Sequence, residues 1–296
     1  MRFVCKGEYM KELPFPNEIM IEATNVCNNK CFFCGSNASD RKRGIIDYDL
    51  MIRLINEAYL NGSRKISFHG MGEPCLCKEL LQYIAEAKKV GYTYIYLDTN
   101  GVLATPEVIF PIIDAGLDSL KFSIHASTSE TYKRITNNDA FEAVTDNFKK
   151  IGTYIKEEKK VCKLIGFFAE STINSKETDS FVEMFKPYAT EIWIKPIHNG
   201  SGVMQENVKY AVNESVSAIK ELPCVELKRM TINWEGDAIA CSTDWTGSLK
   251  YGNIKDYSLK ELWNCERINE IRVEHQSINT LGKICRRCMG VNDEAT

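Results

Sequence analysis

The sequence predicts an α/β protein: an open, partial (β/α)6 barrel followed by a small C-terminal α+β unit, a β-hairpin plus a helix. Three observations carry this. Between Ile19 and Lys195, short apolar, β-branched runs alternate with amphipathic helical patterns, as in βαβ units around a parallel sheet. Six such runs are too few, over too short a stretch, to close an eight-stranded barrel. Beyond about residue 205 the texture changes to short strands, a tight Gly turn and spaced cysteines.

In order, strands are expected at Ile19–Thr24, Lys65–His69, Thr93–Asp98, Ser119–His125, Lys163–Ala169 and Glu191–Pro196. Helices fall between them at Tyr48–Asn61, Lys78–Val90, Pro106–Ala115, Glu130–Glu157 and Lys176–Tyr188, the fourth breaking near Asn137–Asn138. A linking helix over Glu206–Leu222 then leads to a hairpin, Lys228–Trp234 and Asp237–Cys241 joined through Glu235–Gly236. Tyr251–Ile254, a helix from Ser258 to Val273, and Cys285–Arg286–Arg287–Cys288 complete the chain. The division expected is a barrel over 1–205 and a second unit with its linker over 206–296.

Composition narrows the functional classes. The 37 basic and 40 acidic residues nearly balance, which gives no polybasic footprint for nucleic acid or an anionic membrane. No apolar run approaches the roughly 18 residues of a membrane span. The start, Met1–Arg2–Phe3–Val4–Cys5, lacks the apolar core of a signal peptide. A cytoplasmic protein is expected. There, twelve cysteines point to metal ligation, catalysis or small core residues rather than disulfides. Seven of them fall into two spaced groups, and such grouping favours metal.

The first group, Cys27–x3–Cys31–x2–Cys34, follows directly on the first strand. Three thiolates can hold three corners of a cubane cluster and leave the fourth iron open to a substrate. Zinc with a distant fourth ligand, or plain core cysteines, are the alternatives. With its aromatic Phe33, this motif resembles the radical S-adenosylmethionine (SAM) superfamily, where that aromatic packs on the adenine. Gly70–Met71–Gly72–Glu73–Pro74 resembles the family's GGEP motif, with Met at one position, and implies that Gly72, Glu73 and Pro74 receive the SAM amino group. Asn100, in Thr99–Asn100–Gly101, and Ser123 stand where the family contacts SAM ribose or carboxylate. Arg134 is a candidate partner for that carboxylate, or else an exposed helix arginine.

The second group runs Cys224, eleven residues, Gly236, four residues and Cys241, then Cys285 and Cys288. With Tyr251–Gly252–Asn253–Ile254 and the stretch Ser258 to Trp263, it resembles the SPASM-type C-terminal extension. The further cysteines of the full pattern do not follow, so the resemblance is to the shorter "twitch" variant. That implies one auxiliary 4Fe–4S cluster on Cys224, Cys241, Cys285 and Cys288, with no open iron. A four-cysteine zinc site is the competing reading. Cys265 is expected inside a helix, and Cys5, Cys75, Cys77 and Cys162 as core residues.

The resemblance implies an enzyme that reductively cleaves SAM to a 5′-deoxyadenosyl radical, fed by a low-potential donor such as flavodoxin or ferredoxin. The single auxiliary set leans toward oxidation of a small polar alcohol, a sugar or aminocyclitol. Peptide modification (thioether, carbon–carbon crosslink or epimerisation) is the alternative, for which the 26 residues before Cys27 look too few to form a leader-binding module. A non-enzymatic iron–sulfur or zinc protein is remoter, since it would not need the SAM-contact set. Glu170, ending strand five, and His198, following strand six, are the expected proton acceptors, with His69 and His125 also near the barrel mouth. Asp244 and Trp245 are expected to point from the second unit toward the barrel, and Phe167 and Trp193 to be core.

Overall fold

In a computed structural model, residues 13–200, 202, 204–212 and 222–291 are described. The six expected parallel strands are β1 (Glu18–Ile21), β2 (Lys65–Ser67), β3 (Tyr94–Thr99), β4 (Ser119–Ser123), β5 (Lys163–Glu170) and β6 (Glu191–Pro196). They pair in sequence order, each parallel to the next. Helices α1 (Tyr48–Asn61), α2 (Leu80–Val90), α3 (Pro106–Asp114), α4 (Ser129–Thr136), α5 (Phe141–Glu157) and α6 (Thr178–Phe185) lie between them.

Local chemistry sets these limits. Asp47 caps α1 by accepting from Leu50 N at 2.9 Å, and Gly62, at φ +121°, ends it. The apolar face of α1, Met51, Leu54, Ile55 and Ala58, is buried. Asn137 takes a left-handed φ of +53° and stops α4 where the break was expected.

The last strands are β7 (Met230–Ile232), β8 (Asp237–Ile239) and β9 (Lys250–Asn253). β7 and β8 form the expected antiparallel hairpin and β9 pairs with β8. β7 also runs parallel to β1, so one sheet carries the order β6-β5-β4-β3-β2-β1-β7-β8-β9. The expected helix from Ser258 to Val273 is two: α7 (Leu259–Trp263), opened by a Ser258–Glu261 capping box, and α8 (Glu266–Glu274). Cys265 is the N-cap of α8 rather than a mid-helix residue. α9 (Lys283–Cys288) ends the described chain. Of the expected linking helix, Gln205–Tyr210 is a 3-10 turn, and 213–221 lie outside the described residues, as does Cys5.

Strand burial shows where each face points. In β3, Ile95, Leu97 and Thr99 are buried toward the helices while Tyr94, Tyr96 and Asp98 are half-buried. In β4, Lys121 and Ser123 alternate with Leu120 and Phe122 in the same way. The half-buried set faces the barrel lumen, which is therefore lined by charged and aromatic side chains rather than filled with aliphatic layers. Phe167 and Trp193 line this lumen instead of joining the core behind the sheet.

Candidate active site

The Cys27–Cys34 loop leaves β1 and is tied down by the end of α4. Lys30 N donates to Thr136 O at 2.9 Å and Phe32 N to Ile135 O at 3.0 Å, using carbonyls that the helix end leaves open. Asn138 Nδ2 donates to Asn29 Oδ1 at 2.7 Å. On the other side, Arg43 donates to Asn25 O (2.7 Å), to Ser36 Oγ (3.0 Å) and to Ser36 O.

The three thiols face one another. Burial pushes Cys31 up, and Cys34 and Cys27 add to that push. Burial raises Cys27 and Cys34 as well, with nearby Arg43 pulling Cys34 back. N–H groups point at Cys27 Sγ, from Asn29 N at 3.5 Å and Asn100 Nδ2 at 3.7 Å. Buried, mutually repelling thiolates that meet N–H donors fit a cationic iron–sulfur group that would neutralise them. Among the described residues no three His, Cys, Asp or Glu side chains close around one point as a single metal ion requires. A cubane instead takes each thiolate at a separate iron.

The Gly–Glu–Pro turn is built into this loop. A Cβ on Gly72 would lie 2.3 Å from Thr24 O and 2.5 Å from Val26 O, so only glycine fits. Glu73 N donates to Val26 O at 2.8 Å. The Glu73 carboxylate is buried and accepts from Thr99 Oγ1 (2.7 Å), Cys75 N (3.1 Å) and Asn100 N (2.7 Å). Burial raises its pKa and these donors counter the rise. Pro74 opens the next 3-10 turn. Asn100 Nδ2 donates to Asn28 Oδ1 at 2.6 Å, closing the stitch between β3 and the cysteine loop. Phe33 meets His125 edge-on at 5.2 Å. Ser123 ends β4, whereas Arg134 stands exposed on α4.

A cavity of about 540 Å³ occupies the lumen. Cys34 and Met71 lie on its wall, as do Ser242 and Thr243 beside Cys241. Lys121 Nζ sits 2.5 Å from Asp98 Oδ2, and His69 Nε2 is 3.4 Å from the same oxygen. Tyr96 donates to Glu18 Oε1 at 2.7 Å, and Arg229 reaches Glu18 at 3.3 Å and Glu226 at 2.5 Å. Burial pushes Asp98 up, but His69 and Lys121 outweigh it and hold its carboxyl below the usual range. Burial lowers His69, which leaves its imidazole neutral at pH 7. Of the hydrogen-bonded and charged set Glu18, His69, Tyr96, Asp98, Lys121, Glu226 and Arg229, sequence reasoning noticed only His69. The missed signal was a charge at alternate strand positions, such as Lys121 between Leu120 and Phe122.

Of the two expected proton acceptors, His198 lines this cavity and Glu170 does not. His198 Nδ1 accepts from Gly200 N at 2.9 Å, which leaves Nε2 to carry the proton. Glu170 ends β5 with Thr178 Oγ1 at 3.4 Å. His125, at φ +66°, accepts from Ala169 N at 3.0 Å, and burial lowers it to about 3.

Cys224, Cys241, Cys285 and Cys288 line a second, mainly apolar cavity with Leu227, Ala240, Leu249 and Ile271. Burial first, and the neighbouring cysteines next, push Cys285 to about 12. His275, which sequence reasoning left without a role, is on the same wall. Between the two cysteine sites, Trp245 wedges against Gly35 and Gly200, as expected of a residue pointing toward the barrel. Asp244 instead holds its own turn by accepting from Leu249 N at 2.6 Å.

Comparison with known proteins agrees with this arrangement. Residues 224–289 match the model of the SPASM iron-sulfur cluster-binding domain. Probable GTP 3′,8-cyclase of Saccharolobus islandicus is 32% identical over 132 residues, which are 45% of this chain and 42% of that protein; the match thus spans less than half of either. The structure of BtrN in complex with AdoMet and 2-DOIA superposes with a TM-score of 0.62 at 18% identity, covering 90% of this chain and 88% of that one. Streptococcus suis SuiB bound to precursor peptide SuiA gives a TM-score of 0.70 at 17% identity, over 95% and 72%. Residues 21–181, the span that carries the first cysteine loop, the Gly–Glu–Pro turn and strands β2 to β5, match the Radical SAM superfamily model, and the chain belongs to that superfamily.

Proposed function

We propose that the protein oxidises an alcohol carbon of a small polar molecule, of the sugar or aminocyclitol kind. In this reading Cys27, Cys31 and Cys34 hold the SAM-binding cluster, and Phe33, Gly72, Glu73, Pro74, Asn100 and Ser123 surround SAM. Cys224, Cys241, Cys285 and Cys288 hold the auxiliary cluster. With these groups bound, the first site supplies hydrogen abstraction and the second accepts one electron.

The observation that carries the reading is the lumen cavity. Its volume of about 540 Å³ suits a small molecule, and it lies between Cys34 and the Ser242–Thr243 segment next to Cys241. Tyr96, Asp98, Lys121 and Arg229 offer both donors and acceptors to hydroxyl or amino groups. Phe167 and Trp193 offer faces for a ring's C–H groups, and the Lys121 ammonium sits 5.0 Å above the Phe167 ring. Asp98 lines the lumen and offers a carboxylate oxygen to a hydroxyl proton, whereas His69 has Nδ1 buried and His198 has Nδ1 engaged by Gly200. A flavodoxin- or ferredoxin-type donor would supply the electron that starts turnover.

The test is anaerobic incubation of the reconstituted protein with SAM, dithionite and a panel of sugars and aminocyclitols. The expected outcome is 5′-deoxyadenosine together with a product lighter by two hydrogens. Unchanged mass with deuterium uptake from solvent, or turnover of peptides alone, would refute the assignment.

A further inference from the structure

His275 caps the C-terminus of α8, its N–H bonded to Ile271 O at 3.2 Å, and is only 2% exposed. Its Nε2 lies 3.3 Å from Cys285 Sγ, and Nδ1 has no hydrogen-bond partner among the described residues. A buried polar ring normally has a polar reason to be there, and for this ring it is the sulfur. The same cavity wall holds Glu226, whose charge Arg229 already takes up at 2.5 Å, beside Leu227, Leu249 and Ile271. A cluster on four thiolates would thus sit as an anion in apolar surroundings, where one N–H···S bond has a large effect.

We propose that His275 is a positioning residue that donates its Nε2–H to the Cys285 sulfur and so raises the reduction potential of the auxiliary cluster. The proposal rests on the reading that the four C-terminal cysteines hold that cluster. The bond favours the reduced cluster, which carries one more negative charge, because hydrogen bonds to cluster sulfurs stabilise the more anionic state. The four cysteines fill all four corners, so the ring acts through sulfur and not as an iron ligand.

The test uses the full chain with Cys27, Cys31 and Cys34 all changed to Ala, so that only the auxiliary cluster is loaded. Its potential is read by an EPR-monitored redox titration and its iron by colorimetric assay. In that background His275→Leu should keep its iron and become about tenfold harder to reduce, about 59 mV for one electron. His275→Gln, whose amide can reach the sulfur, should recover part of the shift. An unchanged potential with iron retained would overturn the proposal, and so would loss of iron on the scale of a cysteine variant, which would make His275 a ligand. If His275→Leu does not fold, a His275→Gln potential equal to that of His275→Ala would overturn it equally. A triple-cysteine protein holding no iron would remove the auxiliary-cluster reading itself, and the proposal with it.

Discussion

Gly35→Ala is a sharp probe of how the C-terminal segment meets the first cysteine loop. A Cβ on Gly35 would fall 1.4 Å from Trp245 Cε3 and 2.1 Å from Cδ2, inside the indole. Gly35 is in a 3-10 turn without a positive φ, so alanine meets no backbone strain and the penalty is steric. The ring would have to move by about 2 Å to reach ordinary contact, and overpacking of this kind costs about 1–3 kcal/mol. Trp245 cannot slide freely, because Gly200 closes the other side with a would-be Cβ at 2.0 Å, and Ser39 Oγ donates to Trp245 O at 2.6 Å. Removing the ring, Trp245→Ala, should cost about 3–5 kcal/mol. Once it is gone, Gly35→Ala has nothing to strike. A double-mutant cycle on the iron-loaded protein, read as anaerobic melting temperature at roughly 2 °C per kcal/mol, should therefore be strongly non-additive. Gly35→Ala should lower Tm by about 2–6 °C in the parent and by almost nothing in the Trp245→Ala background. Additive losses would mean that the indole does not occupy that gap.

Reconstitution should load about eight irons, as two 4Fe–4S clusters, and the Cys27, Cys31 and Cys34 triple alanine variant about four; full iron in that variant would refute the assignment of the first site. Glu73→Gln preserves shape but turns an amide toward Asn100 N–H, which now gives its proton to the carboxylate at 2.7 Å. Losing that charge-assisted bond, about 1.5–3 kcal/mol, should weaken SAM binding by about tenfold or more, and unchanged affinity in equilibrium dialysis would separate Glu73 from SAM. Lys121→Met takes from Asp98 the cation at 2.5 Å. The depressed carboxyl now adds stability above the ordinary Asp value of about 3.9 and loses it as pH falls through its own lower value. In the variant the carboxyl rises, so acid unfolding followed by tryptophan fluorescence should move to higher pH; an unmoved acid limb would refute the coupling.

What could be read from the sequence was local. Tyr48–Asn61 forms α1 residue for residue because its apolar period and its ends are written in adjacent positions. The break at Asn137 was visible because few residues other than glycine accept a left-handed φ. The break before Cys265 was not, since Asn264–Cys265 carries neither Gly nor Pro and the apolar pattern runs through it. The pairing of β7 with β1 joins Met230 to Ile19, and no local pattern encodes so remote a parallel register. The charged lining of the lumen was hidden for a related reason. Asp98, Lys121 and Arg229 each look like solvated surface charges until the sheet curls and turns them toward one another. Glu73 was legible as part of a motif, yet its three bonds to Cys75, Thr99 and Asn100 depend on where β3 ends.

The shared sheet also bears on how the two cysteine sites work together. Cys27, Cys31 and Cys34 follow β1, and Cys224 and Cys241 flank β7 and β8, the next two strands in the same sheet. Hydrogen-bonded neighbours of this kind hold their separation far more stiffly than two units joined by a linker. Glu22 N donates to Ile232 O at 2.8 Å, and Trp234 N donates to Glu22 Oε2 at 3.2 Å. The Glu22 carboxylate also accepts from Arg41 at 2.8 Å and from Met71 N at 3.0 Å, tying the Gly–Glu–Pro turn to the same seam. The oxidation proposed above, which would hand an electron from substrate to a second cluster, calls for a fixed span between the two sites. Here the backbone ladder sets that span, and the Trp245 indole fills part of it from the C-terminal side.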